Sequence, residues 1–150
     1  MSRCPKCFKD TMALALFVTP DEIIVCPHCN TLLQVEIIQY NNNIRACFIE
    51  REKTTLRQVT KHLFNRYISL AQKFNTTEPG TEVIKLCKEG IAQINNHPID
   101  KLNRWLGYVQ GVLITCDVTT VMKERDYSRP LFHAAYKYEG IEIPQTKEIN

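Results

Sequence analysis

The sequence predicts an α+β chain in which a small, metal-stapled β module at the N-terminus is followed by an α-helical, bundle-like domain. Three observations predict it. Two cysteine pairs, Cys4-Pro-Lys-Cys7 and Cys26-Pro-His-Cys29, stand eighteen residues apart. Apolar and polar side chains then alternate singly through Leu33, Gln34, Val35, Glu36 and Ile37, which is the period of a half-buried strand. Beyond Glu50 the apolar spacing lengthens to three and four residues, the period of a helix with one buried face.

The β elements come first. Thr11–Val18 and Glu22–Val25 read as strands around Thr19-Pro20-Asp21, a turn in which proline presets the backbone and aspartate bonds to it. They bring the second cysteine pair back to the first. Tyr40-Asn41-Asn42-Asn43 turns the alternating strand into a return strand, Ile44–Ile49, so the β module spans residues 1–50 and the helical domain 51–150.

The first helix is capped by Thr54 or Thr55 and carries Leu56, Val59, Leu63, Tyr67, Leu70 and Phe74 on one stripe. Asn75 to Gly80 breaks it. A second helix starts at Thr81 or Glu82 and buries Ile84, Cys87, Ile91 and Ile94, with Gly90 weakening its middle by about 1 kcal/mol relative to alanine. Asn95-Asn96-His97-Pro98 ends it. A third buries Ile99, Leu102, Leu106, Val109, Leu113 and Cys116. The segment Val121–Tyr127 reads as a short fourth helix. Ser128-Arg129-Pro130 opens a fifth, because proline is tolerated in a first turn; that helix stops at Gly140.

Apolar residues make up 44% of the chain and charged residues 23%, proportions that exclude general disorder. No apolar run reaches the roughly 18–20 residues of a membrane span. No secretory signal pattern opens the sequence, and all seven cysteines suit a reducing compartment, so a cytoplasmic protein is expected. Cys47, Cys87 and Cys116 read as buried, reduced thiols. The net charge of +3 is unevenly placed. Arg51, Lys53, Arg57, Lys61, Arg66 and Lys73 face only Glu52 between residues 51 and 73. Such a run is either a solvated face or a phosphate-binding surface, and Arg57 and Lys61, one turn apart and off the apolar stripe, are its phosphate-contact candidates.

The cysteine spacing is that of a Cys4 zinc site, with one ion held by Cys4, Cys7, Cys26 and Cys29. Four thiolates leave no coordination position for water, so the zinc is expected to be structural. On these two Cys-Pro-x-Cys knuckles, residues 4–29 resemble the zinc-ribbon family. The resemblance implies β-turn knuckles around the ion and leaves function open, since the family's functions are diverse. Glycine commonly follows each pair there; here Phe8 and Asn30 do, and the phenylalanine leads one to expect a distorted first knuckle. His28 is expected on the knuckle surface.

Further along, Gly107 and Gly111 share a face of the third helix with Arg104 and Tyr108, which suits a tight helix contact, within a subunit or across a dimer, or a ligand face. Arg129, read at a helix N-terminus with His133 one turn on, is a candidate anion site. The segments Asn103-Arg-Trp-Leu-Gly-Tyr-Val-Gln-Gly111 and Arg125-Asp-Tyr-Ser-Arg-Pro-Leu-Phe132 resemble those of small accessory proteins of tailed phages. That resemblance implies a viral accessory role, in a host cytoplasm, and supplies no catalytic residue.

No catalytic motif is present, and the chain is expected not to be an enzyme. Its leading reading is a non-catalytic zinc-binding accessory protein, expected to be a homo-oligomer through its helix faces, that engages a host protein or nucleic acid. The alternative is an oligomeric binder or sponge of a nucleotide-like anion, of anti-defence type, using Arg104, Tyr108, Arg129 and His133.

Overall fold

Two cysteine knuckles and a long hairpin organise the first part of the chain. The structure, a computed structural model, describes residues 3–11, 22–41, 43–75 and 77–145. It is an α+β protein, with a three-stranded antiparallel sheet preceding four helices. The chain forms two compact units, Met1–Lys53 and Thr54–Asn150.

In the first unit, β1 (Ile24–Val25) pairs with β2 (Leu32–Tyr40), which pairs with β3 (Asn43–Glu50). Tyr40 pairs with Asn43 across the turn, and Asn41 enters it with a left-handed backbone, φ 44°, a conformation asparagine tolerates. Ile24, Leu33, Val35 and Phe48 form a buried cluster with Cys4 and Cys26. The alternation read from sequence holds only where that cluster exists. Ile37 was expected inward with Leu33 and Val35, yet both Ile37 and Ile38 are exposed. β1 is two residues long and reaches only Leu32 and Leu33, so among the described residues the distal hairpin has no layer to bury against. The expected strand Thr11–Val18 and the Thr19–Asp21 turn fall almost wholly on residues 12–21, outside the described ones.

The second unit is built on α1 (Leu56–Ala71), extended by a 3-10 turn at Gln72–Phe74. Thr55 caps α1 reciprocally with Gln58, the arrangement that satisfies two otherwise orphaned amides. Val59, Leu63, Phe64 and Tyr67 are buried along it. The second helix, α2 (Glu78–Ala92), starts a turn earlier than its sequence suggests. Thr77 caps it through the Gly80 amide, and Pro79 sits in the first turn, where its missing N–H costs nothing. Gly80 is buried, and a Cβ there would run into the Phe74 carbonyl. At Gly90 a Cβ would come 2.6 Å from the Phe64 ring, so this glycine weakens α2 locally and lets the two helices close on a fully buried aromatic.

Leu102, Leu106, Val109 and Leu113 are the buried face of α3 (Ile99–Thr115). Cys116, expected inside, is exposed just past its end, while Cys87 is buried and Cys47 half-buried. One further correction concerns the last helix. The two segments read on either side of Arg129 are a single helix, α4 (Val121–Glu139), with Pro130 inside it. Proline deletes one hydrogen bond, but Glu124, Leu131 and Ala135 are buried on both sides of it, and Pro130 itself is exposed. Packing overrides the local break. Gly140 ends α4 in the left-handed conformation, φ 71°, as expected of a C-terminal glycine. No helix among the described residues is long and apolar enough to cross a membrane.

Candidate functional site

The cysteines converge through two matching turns. The Phe8 amide donates to the Cys4 carbonyl and the Asn30 amide to the Cys26 carbonyl, each at 2.9 Å. The Cys4 and Cys26 amides in turn donate to the Lys9 and Thr31 carbonyls, each at 3.0 Å. Both turns close through a left-handed residue, Phe8 at φ 59° and Asn30 at φ 58°. The first knuckle is therefore not distorted. The Phe8 side chain is 73% exposed and accepts a backbone conformation that costs a non-glycine residue about 1–2 kcal/mol.

These turns place the four sulfurs within 4.8 Å of one another. Cys4 Sγ lies 3.6 Å from Cys29 Sγ, and Cys7 Sγ 3.7 Å from Cys26 Sγ. A tetrahedron with metal–sulfur bonds of about 2.3 Å has edges of about 3.8 Å, close to the two short sulfur pairs, so the cluster could hold a single ion. His28 is exposed and its Nε2 donates to the Asp10 carbonyl at 3.3 Å, away from the sulfurs' task. The Thr31 hydroxyl and amide bond to the Cys29 sulfur and lower its pKa to about 6. Cys7 is the opposite case. A hydrogen bond from the Lys9 backbone favours its thiolate, but desolvation and the three neighbouring sulfurs outweigh that and push it up to about 11. Four thiolates repel one another unless a cation lies between them, and a divalent ion would displace those remaining protons.

Comparison with protein-family models, with curated proteins and with solved structures finds no match. The site must be read from its own chemistry.

The other residues singled out in the sequence are scattered. Arg57 is half-buried, and its Nη1 donates to the carbonyls of Ile94 and His97, the latter at 2.8 Å. It closes the end of α2 and is not the free cation its helical position suggested; Lys61 is exposed. Arg51 is also drawn in, bonding to the Lys53 and Glu22 carbonyls. Arg104 is exposed and pairs with Asp100 one turn earlier. Tyr108 is 66% exposed beside Gly107 and Gly111, in an open groove of about 630 Å³ that Glu78 and Glu82 of α2 also line. Apart from the helix's own neighbouring atoms, nothing among the described residues lies within 4 Å of a Cβ placed on either glycine, so the tight helix contact is not made among them. Arg129 lies in mid-helix with no free amides beside it, which removes the basis for an anion site there; His133 is half-buried one turn on. Neither lines any of the three described clefts, and Tyr108 lines only the α2–α3 groove among them.

What the sequence did not reveal is a polar cluster joining α1 to α4. The Glu124 side chain is completely buried and pairs with Arg66, Nη2 to Oε1 at 3.0 Å and Nε to Oε2 at 3.1 Å. It also accepts from the Thr119 hydroxyl at 2.6 Å. The Arg66 guanidinium lies 3.7 Å over the Tyr127 ring, and the Tyr127 hydroxyl is 2.7 Å from His62 Nε2. Burial opposes the charge on Arg66, but the Glu124 hydrogen bonds and charge more than offset it and raise its pKa. Burial raises Tyr127 too, keeping it a neutral hydroxyl. The available signal was a polar stripe, His62, Asn65, Arg66, Ser69 and Lys73, at helical spacing behind the apolar one.

Proposed function

We propose that this protein is a non-catalytic, zinc-stapled binding protein whose helical unit engages a macromolecular partner. The observation that carries this reading is the sulfur cluster. Four thiolates at tetrahedral spacing are the donor set of structural zinc, and they leave no open position at which a water could be activated. The ion folds a module whose buried apolar cluster is small. The accessory role follows from the phage-like motifs in α3 and α4.

Between protein and nucleic acid, the geometry favours protein. Two of the six cations in the basic run, Arg51 and Arg57, are committed to internal carbonyls, and the charge of a third, Arg66, is offset by the buried Glu124. Counterion release needs several free cations on one surface, and this run supplies only lysines. The test has two parts. Metal analysis should find one zinc per chain, and cobalt substitution should give thiolate charge-transfer bands with tetrahedral absorption; a metal-free, equally folded protein would overturn the zinc reading. Retention on duplex DNA at about 150 mM salt should be absent. Tight binding that weakens steeply with salt and is lost in Lys61→Glu would move the partner to nucleic acid.

A further inference from the structure

The cleft between α1 and α4 has the attributes of a site for a small ligand. It is lined by His62, Asn65, Arg66, Ser69, Lys73 and Tyr127 above Leu70, with a volume of about 470 Å³, inside the range of small-molecule sites. Among the described residues no carboxylate lines it, in contrast to the α2–α3 groove, which Glu78 and Glu82 flank.

We propose that this cleft binds the phosphate of a small organic phosphate, with Arg66 as the principal donor. The inference goes beyond the partner reading above and does not depend on it. Arg66 meets Glu124 side-on, through Nε and Nη2. Two of its five N–H donors hold it on Glu124 and one more meets the Tyr127 hydroxyl, so two remain available. The Tyr127 ring against one face of the guanidinium removes the remaining freedom. A planar donor fixed in this way loses little entropy on meeting an anion, and a phosphate matches its fork.

The carboxylate that holds Arg66 does not compete with the ligand. Glu124 has no exposed side-chain surface and does not reach the cleft lining. Lys73 is exposed, lines the cleft and has no ion pair among the described residues. Arg66 and Lys73 against Glu124 therefore leave one net positive charge. Asn65 offers amide donors beside it. Leu70 and the body of Tyr127 give apolar surface for the organic part of the ligand. A buried ion pair is a weak source of stability compared with apolar packing. Positioning an arginine at the wall of a cleft is a use that apolar packing cannot replace.

The test is calorimetric titration of the full chain with adenosine monophosphate and inorganic pyrophosphate, with adenosine as the phosphate-free control. Both phosphates should bind and adenosine should not. Lys73→Glu, an exposed change, should weaken binding at least about tenfold with unchanged circular dichroism, since it reverses a charge beside the phosphate. Arg66→Lys, which keeps the charge and loses the fork, should weaken it similarly. Absence of phosphate binding at about 1 mM, equal affinity for adenosine, or undiminished binding in both variants would overturn the proposal. Binding of pyrophosphate without the nucleotide would overturn its organic part.

Discussion

The two units of this chain are held together by different physics. In the first, an apolar cluster around Leu33 and Phe48, small among the described residues, is arranged about four cysteine sulfurs that could hold one metal ion. In the second, buried side chains of four helices interlock, and a single buried carboxylate is satisfied by three hydrogen bonds. On the zinc reading proposed above, one unit is conditional on a metal and the other on packing, so a perturbation of either should be nearly silent in its counterpart.

Metal removal is the largest such perturbation. A structural zinc supplies apparent binding free energies of about 10–16 kcal/mol, so chelation, or Cys26→Ser, should expose residues 3–50 to protease while far-ultraviolet helicity is kept. Loss of the helical signal alongside would break the comparison. Next comes Glu124→Ala, which leaves Arg66 partly buried without its counter-charge. It should cost the helical unit about 3 kcal/mol in denaturant unfolding, with metal content unchanged.

Glycines sharpen the contrast within the helical unit. Gly90→Ala should destabilise by about 2 kcal/mol, because its methyl meets the Phe64 ring inside a filled core. Gly107→Ala, in open space, should stabilise by about 1 kcal/mol through helix propensity. A concentration-dependent loss instead would show that a second backbone approaches that face. In the first unit, Phe8→Gly should raise the stability of the metal-loaded module by about 1 kcal/mol by relieving its left-handed strain. Asn30→Gly should change it by less, since asparagine already tolerates the turn.

Features governed by neighbours in sequence were legible. The cysteine spacing, the Thr55 cap, the α1 stripe and the Gly140 stop each follow from rules a few residues long. Long-range partners were not. Arg57 reads as a free cation until α2 brings the Ile94 carbonyl, 37 residues away, against it. Glu124 carries no local sign of burial, and its partner is Arg66, 58 residues earlier. Pro130 carries a strong local break signal, and only the burial of Leu131 and Ala135 outweighs it. Phe8 shows the reverse. Its left-handed backbone is required by the turn that aims two sulfurs, even though its own preference opposes it.

The helices also differ in how many neighbours hold them. α1 packs against α2, α3 and α4, whereas α4 packs chiefly on α1. Besides Leu131 and Ala135, α4 is held by polar clasps near its ends: the buried Glu124–Arg66 pair and, at the other end, Glu139, which accepts from the Leu56 amide at 3.2 Å. The second clasp is solvent-exposed and weak. In the language of native-state fluctuations, α4 is the element whose release exposes the least of the remaining core. Its amides should exchange with deuterium ahead of those in α1, α2 and α3, as a sub-global opening below the free energy of complete unfolding. During folding the order should reverse: α1 and α2, adjacent in the chain, should form the first stable pair, and the pairing of Glu124 should be one of the last events.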